Sequence, residues 1–140
     1  MQFDLDNLNP PARFYFDDKK PEDGSVLLRI CSGNDLDDIY RKTSKKQPPE
    51  YKRGVRYEVP DLIDEVKRMK MMWDFIIMDW DKVTDGNGKP LECNMDNKYR
   101  LMRESVKFAS FIGASIEKLS VDVAAYQEEA EKNSESSQSE

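Results

Sequence analysis

Hydrophobic residues recur at alternating steps of four and three in the middle of the chain. The recurring positions are Leu62, Val66, Met69, Trp73, Ile76 and Trp80. This spacing is typical of an α-helix with one buried face. Pro60 suits the first position of a helix. The pattern therefore predicts a helix that begins near Pro60 and runs into Trp80.

A second long helix is predicted from Asn94, which suits a helix cap, to about Gln127. Its inward face is predicted at Met95, Tyr99, Met102, Val106, Ala109, Ile112, Ile116, Leu119, Val123 and Tyr126. Gly113 within it is expected to mark a close helix crossing or a kink. Between the two helices, the turn signal Asp85-Gly86-Asn87-Gly88 predicts a short hairpin of residues 81–84 and 89–93.

The N-terminal third favours extended structure. Residues 13–16 and 25–31 are strand-forming segments separated by a turn cluster, which predicts a β-hairpin with a long loop. Residues 35–43 predict a short helix capped by the Ser32-Gly33-Asn34 segment. Residues 44–55 predict a basic loop, and residues 56–59 a short strand. The fold class expected is α+β, mainly α-helical, with a small N-terminal β-hairpin and a short hairpin between two long helices.

The domain organisation expected is a single globular domain with two extensions. Residues 1–12 are polar and contain Pro10-Pro11, so they predict an N-terminal arm. Residues 13–127 form the domain. Residues 128–140 are rich in serine and glutamate and poor in apolar residues, which predicts a disordered acidic tail.

Composition argues against catalysis. The chain has no histidine, so Ser-His and Cys-His nucleophiles are excluded and the commonest general base is missing. Two cysteines, Cys31 and Cys93, make neither a disulfide framework nor a zinc site. No enzyme activity and no cofactor are expected. Asp, Glu and Lys chemistry is not formally excluded.

The loop from Asp81 to Glu92 partly matches an EF-hand calcium loop, at Asp81, Asp85, Gly86 and Glu92. Val83, however, stands where an oxygen ligand belongs, and Gly88 replaces the usual apolar residue. A hairpin turn explains this segment better, so no metal site is predicted.

Charge is unevenly spread along a chain of net charge −6. Residues 41–56 carry seven basic residues against Glu50, a net +6, whereas residues 127–140 carry five glutamates against Lys132, a net −4. The two segments are expected to pair with each other or with different partners. Because the whole chain is acidic, the basic segment favours a solvated loop or a protein-docking patch over nucleic-acid binding.

Four apolar residues lie off the main helical stripes and are the candidate partner-binding residues: Phe75, Met78, Phe108 and Phe111. An apolar face left over on a polar chain suggests self-association or a helical client. Seven methionines suit an adaptable groove. Simple filling of the core is the alternative interpretation.

Several segments, in order, carry a resemblance to a known family. They are LLRICSGNDLDD at Leu27 to Asp38, EYKRG at Glu50 to Gly54, the block from Trp73 to Lys98, the helix VKFASFIGASIEKL and a polar Ser/Glu tail. From residue 12 onward the chain resembles the tail assembly chaperones of long-tailed, siphovirus-type bacteriophages and prophages. These motifs carry no chemistry of their own.

The resemblance implies a helical protein with a small β element, made in the host cytoplasm. Such chaperones bind the tape measure protein and keep it soluble until tail tube subunits polymerise around it, and many are also made in a longer, frameshifted form. The partners implied are the tape measure protein and tail tube subunits, with homo-oligomerisation, and no nucleic acid or membrane. The alternative is a structural phage protein, either a minor tail component or a head–tail joining component.

Overall fold

The computed structural model of the protein describes residues 1–138, with side chains described through Asn133. It combines four α-helices with short strands, so the predicted α+β class is confirmed. The strands are β1 (Ala12–Tyr15), β2 (Ser25–Leu28), β3 (Ser44–Lys45), β4 (Glu50–Lys52), β5 (Val55–Tyr57), β6 (Leu62–Ile63) and β7 (Ile77–Asp81). The helices are α1 (Gly33–Thr43), α2 (Glu65–Ile76), α3 (Met95–Glu104) and α4 (Val106–Gln138), with a 3-10 turn at Pro21–Asp23.

A three-stranded antiparallel sheet has the order β1-β2-β7. Strand β1 pairs with β2, with Phe14 opposite Val26, which confirms the predicted N-terminal hairpin. Strand β7 pairs with the other edge of β2, with Val26 opposite Trp80. The prediction that the central helix runs into Trp80 is therefore wrong, because α2 ends at Ile76 and the chain continues as a strand.

An irregularity in β7 explains this error. Leu28 pairs with Ile77 but Leu27 pairs with Asp79, so Met78 is an extra residue without a partner in the register. The bulge places the buried Ile77 and Trp80 three residues apart instead of two. In the sequence, that spacing is the same as one face of a helix.

Residues 44–63 form a two-stranded projection that we call the ribbon. Strand β3 pairs with β6 at its base, and β4 pairs with β5 toward its tip. Between these pairs the Gln47 side chain donates a hydrogen bond to the Pro60 carbonyl at 2.9 Å. Arg53 and Gly54 form the tip with φ angles of 52° and 76°, a conformation that suits a tight hairpin turn.

The ribbon corrects two predictions. Residues 44–55 are not only a loop, since strands β3 and β4 lie within them. Pro60 does not begin a helix: it lies in the ribbon, and Asp64 caps α2 by accepting a hydrogen bond from the Lys67 amide at 3.1 Å. The two strands on either side of Pro60 satisfy backbone groups across the ribbon, which a local helix signal does not reveal.

The predicted second long helix is two helices. Asn94 caps α3 as predicted, and Ser105 then adopts an extended conformation that separates α3 from α4. The Ser105 hydroxyl accepts a hydrogen bond from the Phe108 amide at 3.1 Å, as an N-cap does. The expected close crossing at Gly113 is wrong, because that residue lies inside α4 and a Cβ there would meet no atom within 4 Å.

Helix α4 extends further than predicted. It passes Gln127 and reaches Gln138, so it overlaps the predicted disordered tail in residues 128–138, and residues 139–140 of that tail lie outside the described residues. Glutamate, alanine, glutamine and lysine at residues 127–132 all favour helix. None of the helices within residues 1–138 is long and apolar enough to cross a membrane.

The core lies between the sheet and α4. Val26, Leu28, Ile77 and Trp80 from the sheet form one buried cluster with Ile76 of α2 and with Phe108, Ile112 and Leu119 of α4. The Trp80 indole also donates a hydrogen bond to the Leu91 carbonyl at 2.9 Å. This bond fastens the predicted short hairpin, which is confirmed by the pairing of Thr84 with Pro90, to the sheet.

Residues 1–8 of the predicted N-terminal arm contact the distal part of α4, whereas Ala12 begins β1. The Asp4 amide donates to the Gln127 side-chain oxygen at 2.9 Å, and the Tyr126 hydroxyl donates to the Asp4 carboxylate at 2.7 Å. The N-terminal ammonium group lies 3.4 Å from the Glu131 carboxylate. These polar contacts fix the arm to the helix.

The cap of α1 provides a first testable prediction. The Ser32 hydroxyl accepts a hydrogen bond from the Asp35 amide, and the Asp35 carboxylate accepts one from the Ser32 amide at 2.9 Å. Ser32→Ala removes this capping box and is expected to lower the free energy of unfolding by about 1 kcal/mol. Urea denaturation followed by circular dichroism measures the loss. The control is Ser110→Ala on the exposed face of α4, which should not lower stability; equal effects of the two changes would contradict the assignment of the cap.

Candidate functional site

An open groove of about 240 Å³ lies where α1, α2 and the start of α3 meet. Its apolar lining comes from all three helices, namely Ile39, Met71, Phe75 and Met95. Its charged lining consists of Arg29, Asp35, Asp38, Lys42 and Asp74. The groove therefore offers an apolar floor with charges of both signs around it.

The Phe75 ring is held in place by Arg29, the residue that follows Leu28 of β2. The Arg29 guanidinium carbon lies 3.7 Å from the centroid of the Phe75 ring, and its Nε donates to the Phe75 carbonyl oxygen at 2.7 Å. A cation–π contact at a partly exposed site contributes about 0.5–1 kcal/mol. These contacts fix the orientation of a half-buried aromatic ring at the groove.

The carboxylates around the groove are already engaged. Asp35 belongs to the α1 capping box, and Asp38 forms an ion pair with Arg41. Asp74 lies 3.0 Å from the ammonium group of Lys98, which is only 5% exposed and joins α3 to α2. All three carboxylates thus have partners within the protein.

Neither cysteine is activated. Burial is the main cause that raises the pKa of the Cys31 thiol above its ordinary value, and the nearby Asp35 carboxylate raises it further. Burial also raises the pKa of the Cys93 thiol. Both therefore remain protonated thiols at neutral pH, a form that is a poor nucleophile and a poor metal ligand.

The four predicted partner-binding residues differ in their exposure to solvent and in their contacts. Phe75 lines the groove and is half-buried, and Met78 is 38% exposed at the bulge of β7. Phe108 is only 9% exposed and packs edge-on against Trp80, with ring centroids 6.0 Å apart. Phe111 is half-buried against Phe16 at 5.0 Å. The expectation that Phe108 belongs to a surplus surface is therefore wrong, because α4 turns this residue toward the sheet.

The sequence did not indicate three lining residues of the groove, Ile39, Met71 and Met95. Each belongs to a different helix, and Met95 was assigned only to the inward face of its own helix. The abundance of methionine was the one usable signal, since it suggested an adaptable groove without giving its position.

The loop that partly matches a calcium site is organised as a turn. The Asp85 carboxylate accepts hydrogen bonds from the Asn87 amide at 2.8 Å and the Lys89 amide at 3.0 Å. Across the described residues, no group of three or more cysteine, aspartate or glutamate side chains is placed to hold a metal ion. Asp85 therefore stabilises the hairpin turn.

The model of a family described as YdaY prophage protein matches residues 35–133, which include most of α1, the ribbon, the groove lining except Arg29, and most of α4. The chain belongs to this family and is a prophage protein. No curated protein and no solved structure matches the chain.

Proposed function

We propose that this member of the YdaY prophage protein family is a non-catalytic tail assembly chaperone, acting in the host cytoplasm, that binds the tape measure protein and keeps it soluble. The observation that carries the proposal is the apolar groove between α1, α2 and α3 in a protein of prophage origin. The tape measure protein is the client, and tail tube subunits are the further partners that take it over.

The lining of the groove suits a helical client. Helices that dock into grooves insert a row of apolar side chains and leave charged residues at the rim. Met71 and Met95 have flexible, polarisable side chains, which adapt to different apolar side chains along a long client. Phe75, fixed by Arg29, supplies a rigid aromatic contact between them.

Several observations support a role without catalysis. The chain has no histidine, and the pKa values of both thiols are raised. The groove carboxylates are occupied by a helix cap and by ion pairs. A holding chaperone needs exposed apolar surface and surrounding charge, not an activated nucleophile.

A structural phage protein, either a minor tail or a head–tail joining component, is the second candidate. The ribbon favours it, because every residue from 50 to 58 is exposed on this two-stranded projection. Such projections commonly serve as contacts between subunits. The two candidates differ in whether the protein remains in the finished particle.

Co-expression with the tape measure protein of the same prophage tests the proposal through Met95→Glu. Met95 is 36% exposed at the first position of α3, where an acidic residue favours the helix, so the variant should fold while its charge enters the groove. The wild-type chain should keep the client in the soluble fraction. Met95→Glu should return the client to the level seen without a chaperone.

The matched control is Val106→Glu, an 82% exposed residue at the first position of α4 and outside the groove lining. It introduces the same charge at an equivalent helix position and should retain full activity. Client solubility unchanged by the wild-type chain would refute the chaperone function. Recovery of the chain from purified virions would favour the structural candidate instead.

A further inference from the structure

Two exposed apolar surfaces of opposite charge lie on different parts of the chain. On the ribbon, Val55 and Tyr57 are 53% and 49% exposed, and the pairing of β4 with β5 places Lys52 opposite Val55 and Glu50 opposite Tyr57 on the same face. The ribbon, residues 44–63, carries five basic residues against Glu50, Glu58 and Asp61, a net +2. The ribbon is therefore an apolar and basic surface.

The N-terminal arm is apolar and acidic, with its apolar side chains outward. Met1, Phe3 and Leu5 are 94%, 55% and 80% exposed, whereas the alternate residues Gln2 and Asp4 are partly covered. A segment that lies against a helix ordinarily turns its apolar side chains inward. Here Asp4 is bound to Tyr126 and Gln127 instead, so the polar contacts to α4 hold the apolar side toward solvent.

The distal part of α4 adds negative charge beside this arm. Glu128 and Glu129 are exposed, Glu131 pairs with the N-terminus, and residues 121–131 carry Asp122 and these three glutamates without a basic residue, a net −4. We call residues 1–8 together with residues 121–131 the arm surface. It has the apolar area and the negative charge that complement the ribbon.

We propose that the ribbon of one copy of this chain docks on the arm surface of a second copy. The contact joins unlike surfaces, so it closes either as a reciprocal dimer or as a ring of copies. Charge complementarity sets the orientation and speeds the encounter, while Tyr57, Phe3 and Leu5 supply the buried apolar area. An exposed two-stranded ribbon also gains stability from such packing, because an isolated hairpin is marginally stable in water. Both surfaces are distinct from the groove lining, so this contact does not depend on the proposed client.

Analytical ultracentrifugation of a ribbon variant and an arm variant tests the contact. The ribbon variant is Lys52→Glu with Tyr57→Ser, and the arm variant is Phe3→Ser with Leu5→Ser; all four side chains are exposed, so both variants should fold. Wild-type chain should self-associate, and more weakly at high salt. Each variant alone should lose at least roughly tenfold in association affinity.

The decisive measurement is an equimolar mixture of the two variants. The mixture should form a dimer, because the intact ribbon of the arm variant meets the intact arm surface of the ribbon variant. Lys89→Glu, an equal charge reversal in the exposed turn, is the control and should associate like wild type.

Three results would overturn the proposal. The first is a wild-type chain that stays monomeric at every concentration reached. This result would overturn the proposal even if the ribbon were found to bind a single-stranded oligonucleotide instead. The second is self-association of either double variant at wild-type strength, which would mean that like surfaces meet. The third is a mixture of the variants that remains monomeric.

Discussion

Phe108→Ala is expected to lower the free energy of unfolding by about 3–5 kcal/mol, the usual cost of removing a buried phenylalanine ring. Phe108 is 9% exposed and belongs to the cluster formed by the sheet and α4. The change removes the edge-on contact with Trp80 and leaves a cavity beside Ile112, which is fully buried. Neither the helix nor the rigid sheet can move far enough to fill that space.

Urea denaturation followed by tryptophan fluorescence measures this loss, since Trp80 lies against the substituted ring. Met78→Ala is the matched control: Met78 was a candidate partner-binding residue too, but it is 38% exposed at the bulge of β7. Its replacement should cost less than about 1 kcal/mol. If the two variants unfolded at the same urea concentration, Phe108 would not be part of the core.

The contrast between Phe108 and Met78 shows which sequence signals are reliable here. Local signals predicted structure correctly: the Ser32-Gly33-Asn34 segment indicated the cap of α1, Asn94 indicated the cap of α3, and Asp85 to Gly88 indicated a turn. Each depends on backbone groups within a few residues. The hydrogen bonds that form these caps and this turn all lie within the segment itself.

Signals that depend on distant partners are ambiguous. Ile77 and Trp80 are three residues apart, which fits a helix face, and only pairing with β2 together with the bulge at Met78 makes them strand residues. The same holds for the ribbon, because the pairing of Ser44 with Ile63 crosses a segment with three prolines. Single-segment periodicity carries no information about such partners.

The candidate groove was the least predictable feature. Phe75 was identified as surplus to the helical stripe, and it does line the groove, but so do Ile39 and Met95 from two other helices. Their convergence follows from the packing of α2 against α1 and α3. Because the groove is formed by three helices, the sequence of any one helix does not show which of its residues line the groove.

Gly24→Ala is expected to lower the free energy of unfolding by about 3–5 kcal/mol. Alanine would strain the backbone at this position, and its added Cβ would clash with neighbouring atoms. Gly24 has φ of 116° and ψ of 174°, a combination available essentially to glycine alone. A Cβ on this residue would lie 2.5 Å from the carbonyl oxygen of Asp81, a backbone atom at the end of β7. It would also lie 3.1 Å from the Phe16 ring.

Relief of this collision requires β7 to move away from β2. Gly24 directly precedes β2, and its carbonyl accepts a hydrogen bond from the Phe16 amide at 3.1 Å. The residue is therefore fixed between both neighbouring strands, and a shift of Asp81 would disturb the pairing of Ser25 with Asp81 and then that of Val26 with Trp80. The loss should appear in urea denaturation and as faster hydrogen exchange of the β7 amides.

Gly86→Ala provides the matched control for this substitution. Gly86 lies in the turn between Asp85 and Gly88, its φ is not positive, and a Cβ there would meet no atom within 4 Å. The added methyl group should change the free energy of unfolding by less than about 1 kcal/mol, and the reduced freedom of the unfolded chain favours a small gain. If the two alanine variants were equally stable, β7 would not lie close to Gly24. The assignment of β7 as an outer strand of the three-stranded sheet would then be wrong.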